Sequence, residues 1–358
     1  MKALYFGTYD RAYPRNAQVI SALRGAGVDV VEQHRAVWER RHNWSVGLRQ
    51  MLRVAEAERS LRHTADASRE ADVLIVGYPG HFDLPAAKRV ARGRPVVFNP
   101  LVSLYDTLVD DRGRFRRGSP GAGVVHLVDR RAFRRADVVV ADTEAHGAFF
   151  RRSFGLRPDK VEVCLVGAED RLFRPGWRPE RSFHALFVGK LIPLHGLETI
   201  LAAAAIATEI QFKVVGSGQL ESLLAHRPEN VEWIPWVEYA DLPGEIQAAG
   251  CALGIFGDGD KAARVIPNKA FQALACGTPL VTANTPAARE LLTDGEDALL
   301  VPTGDPAALA AAVRRLAGDP AFAARLGATG RETYVAKASE DVLGRRWRGV
   351  LERAIAAA

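Results

Sequence analysis

Three stretches of this 358-residue chain put glycine, and two of them also a cation, where an apolar run gives way to a helical pattern. In ALFVGKLIPLHGLETIL, Gly189 ends the apolar run and Lys190 follows at once. His195 and Gly196 then precede a helix that starts near Leu197. A lysine at a strand tip beside a helix N-terminus suits an anion, although a plain surface lysine in such a turn has the same spelling. In FKVVGSGQ, Gly216 and Gly218 make a second glycine turn. It resembles the start of a dinucleotide fingerprint but lacks the third glycine, which disfavours a hydride-transferring dehydrogenase. In GDGDKAARVIPNKAFQALACGTPLV, Pro267 and Asn268 announce a short helix that Gly277 stops. Ala270, Phe271, Leu274 and Ala275 form one face at helical spacing, and Lys269, Gln272 and Cys276 another. Free N–H groups, a positive dipole end and two cations, Arg264 and Lys269, suit a diphosphate or a sugar whose hydroxyls need backbone donors. Asp258 and Asp260 read as a solvent-facing turn rather than a metal site.

The elements that must hold these loops are legible as alternation. Apolar runs KALYFG, DVVEQ, DVLIVG, PVVFN, DVVVAD and VEVCLVG punctuate the first half, with helical stretches such as Arg15–Ala26 and Val124–Arg135 between them. The second half restarts with ALFVG, FKVVG, VEWIP, ALGIF, PLVTA and ALLVP. Strands alternating with helices predict an α/β architecture of parallel sheets covered on both faces. Two such runs, separated by the Pro-, Gly- and Arg-rich stretch Arg171–Ser182, predict two doubly wound domains, over 1–172 and 173–338. The tail reads as helices broken near Gly318–Pro320 and Ala336–Ser339. Ligands of such sheets sit beyond the carboxyl ends of the strands, where these loops lie.

Composition excludes several classes. No stretch reaches the length of uncharged apolar residues that a membrane span needs. The N-terminus MKALYFGTYD lacks a signal peptide's apolar core, and Cys164, Cys251 and Cys276 sit in apolar surroundings without metal spacing, which together predict a cytoplasmic protein with reduced core thiols. Residues 1–180 hold 31 Lys and Arg against 22 Asp and Glu, and the remainder 17 against 20, so the basic excess belongs to the first half. Arginines cluster at 112–117, 130–135 and 151–152. They read either as a solvated surface or as one facing anionic lipid or an anionic acceptor. Nucleic acid is disfavoured, because no zinc finger, basic zipper or aromatic-rich binding signature accompanies them.

The ordered set FVGKLIPLHGLETIL, VVGSGQL, WIPWVEYADLP and PNKAFQALACGTPLVTANTPAARELLTDGEDALLVPTGD resembles the second domain of family-four retaining glycosyltransferases. Upstream, RRADVVVADTEAHGAFFRRSFGLRPDKVEVCLVGAEDRLFRP resembles the end of their first domain. The resemblance implies the GT-B fold, two facing Rossmann-like domains with a deep cleft, and a last helix, 339–358, that packs back on the first domain. It implies transfer of a sugar from a nucleoside diphosphate sugar to an acceptor (a sugar, a lipid-linked sugar or a small molecule), with retention and with neither metal nor cofactor. Gly189 and Lys190 match the family's glycine-arginine pair at the donor diphosphate. His195-Gly196 stands for its lysine-glycine pair, so one cation becomes a group part-charged near neutrality. Gly216 and Gly218 match the next glycine turn, and Trp236 and Val237 would border the base. Asn268 opens the helix that carries Lys269. Two family glutamates, for sugar and ribose, fall at Arg264 and Gln272, which leaves open a non-catalytic nucleotide- or partner-binding subunit, or another enzyme of this fold such as a sugar-nucleotide epimerase. In the first domain, Gly7, Thr8, Tyr9, His81, Asn99 and Asp106 follow strands; His81 at a strand end could meet a sugar hydroxyl or the donor phosphate, or be a structural histidine.

Overall fold

The computed structural model describes residues 1–11, 13–37, 53, 56, 57, 59–61, 70–178 and 182–358; part of the Arg171–Ser182 separator lies outside them. The described chain divides into two compact units. One holds Met1–Val109, Gly113–Leu165 and Glu340–Ala358; the other holds Asp110–Arg112 and Val166–Ser339.

In the first unit the order is β1 (Lys2–Gly7), α1 (Pro14–Gly25), β2 (Asp29–His34), β3 (Val73–Val76), α2 (Leu84–Ala91), β4 (Val96–Phe98), α3 (Pro120–Arg135), β5 (Val138–Ala141), α4 (Glu144–Phe154) and β6 (Val161–Val163). The strands form one parallel sheet in the order β2-β1-β3-β4-β5-β6, with Ala3 registered between Val30 and Val73. Its central strands are apolar without interruption because both faces are covered: all four residues of β3 are buried. Phe98, Phe133, Phe150 and Phe154 fill one face. Ser119 and Thr143 cap α3 and α4 by accepting from the backbone N–H three residues on.

The second unit runs β7 (His184–Val188), α5 (Leu197–Ile206), β8 (Gln211–Val215), β9 (Val231–Ile234), α6 (Leu242–Ala248), β10 (Cys251–Leu253), α7 (Asn268–Cys276), β11 (Leu280–Ala283), α8 (Pro286–Leu291), β12 (Leu299–Val301), α9 (Pro306–Gly318) and α10 (Pro320–Lys337). Its parallel order is β12-β11-β10-β7-β8-β9. Helices on both faces bury Phe187, Ile200, Phe212, Val281, Val313 and Leu326. The breaks in the tail fall at Asp319, which caps α10 through its side chain, and at Ala338–Ser339.

The final helix, α11 (Glu340–Ala356), belongs to the first unit. Trp347, Val350 and Leu351 close the sheet face that carries Tyr5, Val19 and Leu23. Gly344 lets α11 and α1 approach closely, since a Cβ there would stand 2.3 Å from the Ala22 carbonyl oxygen. The guanidinium of the fully buried Arg15 lies 5.6 Å from the Trp347 ring centroid and donates to the carbonyls of Cys164 and Leu165 and to Asn99 Oδ1.

Candidate functional site

In the second sheet β7 lies between β8, which follows it, and β10, which comes three strands later. The winding reverses between β7 and β10, and in open parallel sheets the crevice at that reversal receives the ligand. The loop after β7 carries Gly189 to His195, and the loop after β10 leads into α7. Gly189, Gly216 and Gly218 have φ of +151°, +141° and +155°, backbone that a side chain disfavours. A Cβ at Gly216 would stand 1.9 Å from the Gly189 carbonyl oxygen, and one at Gly218 would stand 2.7 Å from that of Leu191. The glycines therefore let the two turns touch. Leu191 N–H donates to Ser217 O at 3.0 Å, and Trp233 Nε1–H donates to Gly216 O at 2.9 Å. Trp233 is a positioning residue that motif reading misses; its register opposite Val214, two residues before Gly216, is the signal that reveals it.

Lys269 reaches this turn from the first turn of α7. Its Nζ lies 3.7 Å from the Phe187 ring centroid, and a Cβ built on Gly189 would meet it at 2.8 Å. The residue is 8% exposed, and Nζ has no hydrogen-bond partner among the described residues. Burial alone drives its pKa well below the ordinary lysine value. Phe187 is legible in the sequence: two residues before Gly189 in a strand, it shares that residue's face. The rest of α7 differs from an amphipathic surface helix, because every residue from Lys269 to Cys276 is buried.

His195 packs against the same ring, with centroids 5.6 Å apart, and its Nδ1 meets the Lys190 carbonyl, so Nδ1–H donates there. Burial first, and then the charge of Lys269, hold its pKa well below the ordinary value. His195 is thus neutral near pH 7, not part-charged, and acts by fixing the backbone of Lys190. Lys261 Nζ and Arg112 Nε each lie 3.5 Å from Asp111 Oδ2, and Leu194 N–H donates to Asp111 Oδ1 at 2.9 Å.

Lys190 is exposed at the strand tip; Asn268 and Arg264 are half-buried at the approach to α7. Trp236, 58% exposed, donates through Nε1 to Glu238, and Val237 is half-buried beside it. Gln272, one turn beyond Lys269, is buried next to the Tyr239 hydroxyl, which also adjoins Glu169. The structure therefore brings Gly189, His195, Gly216, Gly218 and Lys269 into one cluster, with Gln272 in a neighbouring polar one. Among the described residues no group of three or more His, Cys, Asp or Glu could hold a metal ion.

The first unit buries His81 in its core. Its side chain is 1% exposed, its ring packs on Phe98 and Phe133, Nδ1 meets the Pro79 carbonyl, and Nε2 lies 3.3 Å from Asp129 Oδ1. Burial lowers its pKa despite Asp129, so the ring is a neutral core group that offers no face to a substrate. The winding of this sheet reverses between β1 and β3. There Asp83, fully buried, accepts from Thr8 N–H at 2.8 Å and from Thr8 Oγ1 at 3.0 Å. Burial pushes its carboxyl up to about 6. Asn99 and Asp106 are also fully buried.

Comparison with known proteins places this geometry. A family model described as a glycosyl transferase 4-like domain matches residues 8–167, and one described as glycosyl transferases group 1 matches residues 182–319. The chain belongs to the family-four glycosyltransferases of the GT-B fold. This family-four chain is 29% identical over 293 residues to a D-inositol 3-phosphate glycosyltransferase of Thermomonospora curvata, covering 70% of this chain and 67% of that protein. Across the curated relatives it matches, this glycosyltransferase chain spans about two thirds of their length or less. Among solved structures, sucrose-phosphate synthase from Thermosynechococcus elongatus superposes with a TM-score of 0.76 at 19% identity, covering 100% of this chain and 99% of that one. HepE of Anabaena in complex with UDP-glucose gives 0.72 at 16% identity, covering 99% and 100%. At these identities both show the fold alone.

Proposed function

We propose that this chain transfers a sugar from a nucleoside diphosphate sugar to an acceptor, with retention of configuration and without a metal ion. One observation carries the reading: a lysine amine, buried and without an acceptor among the described residues, stands at the N-terminus of α7 against glycine turns at the sheet's reversal point. A buried amine without a partner costs stability, and an incoming diphosphate supplies the missing acceptor and the opposite charge. The UDP-glucose in the HepE complex supports a donor of this class.

In this reading Lys190 and Lys269 hold the diphosphate, with the free N–H groups of α7 adding their dipole. Each stabilises the charge that grows on the leaving group as the glycosidic bond breaks. His195 keeps Lys190 in place without adding charge. Gln272 faces the ribose through its amide, Trp236 and Val237 border the base, and Arg264 takes the sugar side. A phosphate oxygen of the departing diphosphate accepts the acceptor's proton, so no carboxylate base is required.

The test is incubation with a panel of nucleotide sugars, with and without EDTA, and mass-spectrometric detection of released nucleoside diphosphate. Proton coupling constants of the product report the anomer. Release that survives EDTA and gives a retained anomer supports the reading. Nucleoside diphosphate that binds but is never released from any donor makes the chain a binding subunit, and absence of binding removes the site.

A further inference from the structure

We infer that the outward face of α3 is a docking surface for an anionic lipid bilayer. Of the six large hydrophobic side chains exposed among the described residues, two lie on this helix: Val124, 62% exposed, and Leu127, 42% exposed. Their three-residue spacing puts them on one face. Arg130 and Arg131, both exposed, continue that face toward the C-terminus. Arg114 and Arg116 flank its start, because Phe115 between them packs on Gly121, where an added Cβ would stand 2.6 Å from its ring. None of these four arginines makes a side-chain hydrogen bond or ion pair with a described residue.

The acid of this helix is turned the other way. Asp129, fully buried, accepts from Ser103 Oγ at 2.7 Å and from the N–H groups of Leu104 and Tyr105 at 3.0 and 2.8 Å. Ala122, Ala132 and Phe133 share that inner side. The outer face thus joins aliphatic side chains to uncompensated cations. That combination fits an interface in which phosphate headgroups meet the arginines and the aliphatics enter the headgroup–acyl boundary. A nucleic acid would use stacking aromatics, and this stripe has none. The inference does not rest on the donor-site reading.

Sedimentation with vesicles of phosphatidylcholine and phosphatidylglycerol, 7:3, against phosphatidylcholine alone decides it. The expected result is binding at low salt to the mixed vesicles only, fading as the ionic strength rises. Arg130→Glu/Arg131→Glu and Val124→Ser/Leu127→Ser should each weaken partitioning by roughly tenfold or more, with an unchanged melting temperature as the check on folding. Absence of binding to mixed vesicles at low salt overturns the inference. So does full retention of binding in either double variant, or binding to duplex DNA that exceeds vesicle binding and survives the serine substitutions.

Discussion

Lys269 sets two opposing demands on one atom. The fold buries its amine over Phe187 with no acceptor among the described residues, and a bound dianion would raise its proton affinity. A base with a lower pKa folded than unfolded binds fewer protons in the folded state between the two values. Stability therefore rises with pH between the depressed value of Lys269 and the ordinary value near 10.4. Lys269→Met, apolar and of similar length, should raise the stability of the unliganded protein by about 1–2 kcal/mol. The same variant should weaken nucleoside diphosphate binding by about 1–3 kcal/mol, as should Lys190→Ala. Binding to the wild type should take up protons. Calorimetry in two buffers of different ionisation enthalpy measures that uptake, and uptake that persists in Lys269→Met assigns it to another group. Asp83 gives the reverse slope. Its folded pKa, about 6, lies above the unfolded one, so the folded state binds more protons between the two and stability falls as pH rises through that window. The fall should be on the order of 3 kcal/mol. Denaturant titrations from pH 4 to 7 should show it in the wild type and not in Asp83→Asn.

At the scale of elements, the site depends on turns that touch rather than on any one side chain. Gly216→Ala combines a φ of +141° with a Cβ 1.9 Å from the Gly189 carbonyl oxygen, and Gly189 is backbone that cannot rotate away. The variant should lose about 2–4 kcal/mol of stability and most nucleotide affinity, because separating the turns moves Lys190 from Lys269. Gly244→Ala meets nothing within 4 Å and serves as the control. Urea melts and nucleotide titrations of both variants check this; equal behaviour would mean that the turns adjust freely. The N-terminus of α7 adds its dipole only because the loop after β10 brings it to the end of β7, which are neighbours in the sheet but 63 residues apart at Val188 and Cys251.

For the whole chain, the return of α11 makes the first unit discontinuous in sequence. Trp347, 1% exposed, is the largest fully buried side chain among the described residues, and Trp347→Ala should cost about 3–5 kcal/mol. The loss should fall on the first unit. In calorimetry the transition assigned to that unit should move down while the transition of the second unit, which contains no part of α11, stays near its wild-type temperature. Equal shifts of both would show that the two units melt as one. Among the described residues no helix is long and apolar enough to cross a membrane.

The central strands were readable from the sequence because parallel strands buried on both faces are apolar throughout and end in glycine, proline or a polar turn. KALYFG, ALFVG and PLVTA obey that rule, and each is a strand within a residue or two. The glycines of the turns after β7 and β8 were readable for a similar reason: φ beyond +140° leaves few other residues. What the sequence could not supply is what fills the space around a side chain. Lys269, His195 and His81 all follow loops and all look polar and available. The fold leaves the first without an acceptor, aims the second at a carbonyl and seals the third between Phe98 and Phe133 beside Asp129. Charge state and accessibility depend on groups brought from distant positions, Asp129 to His81 and Phe187 to Lys269. Periodicity records only which face a residue takes on its own element, and only tertiary packing decides what that face meets.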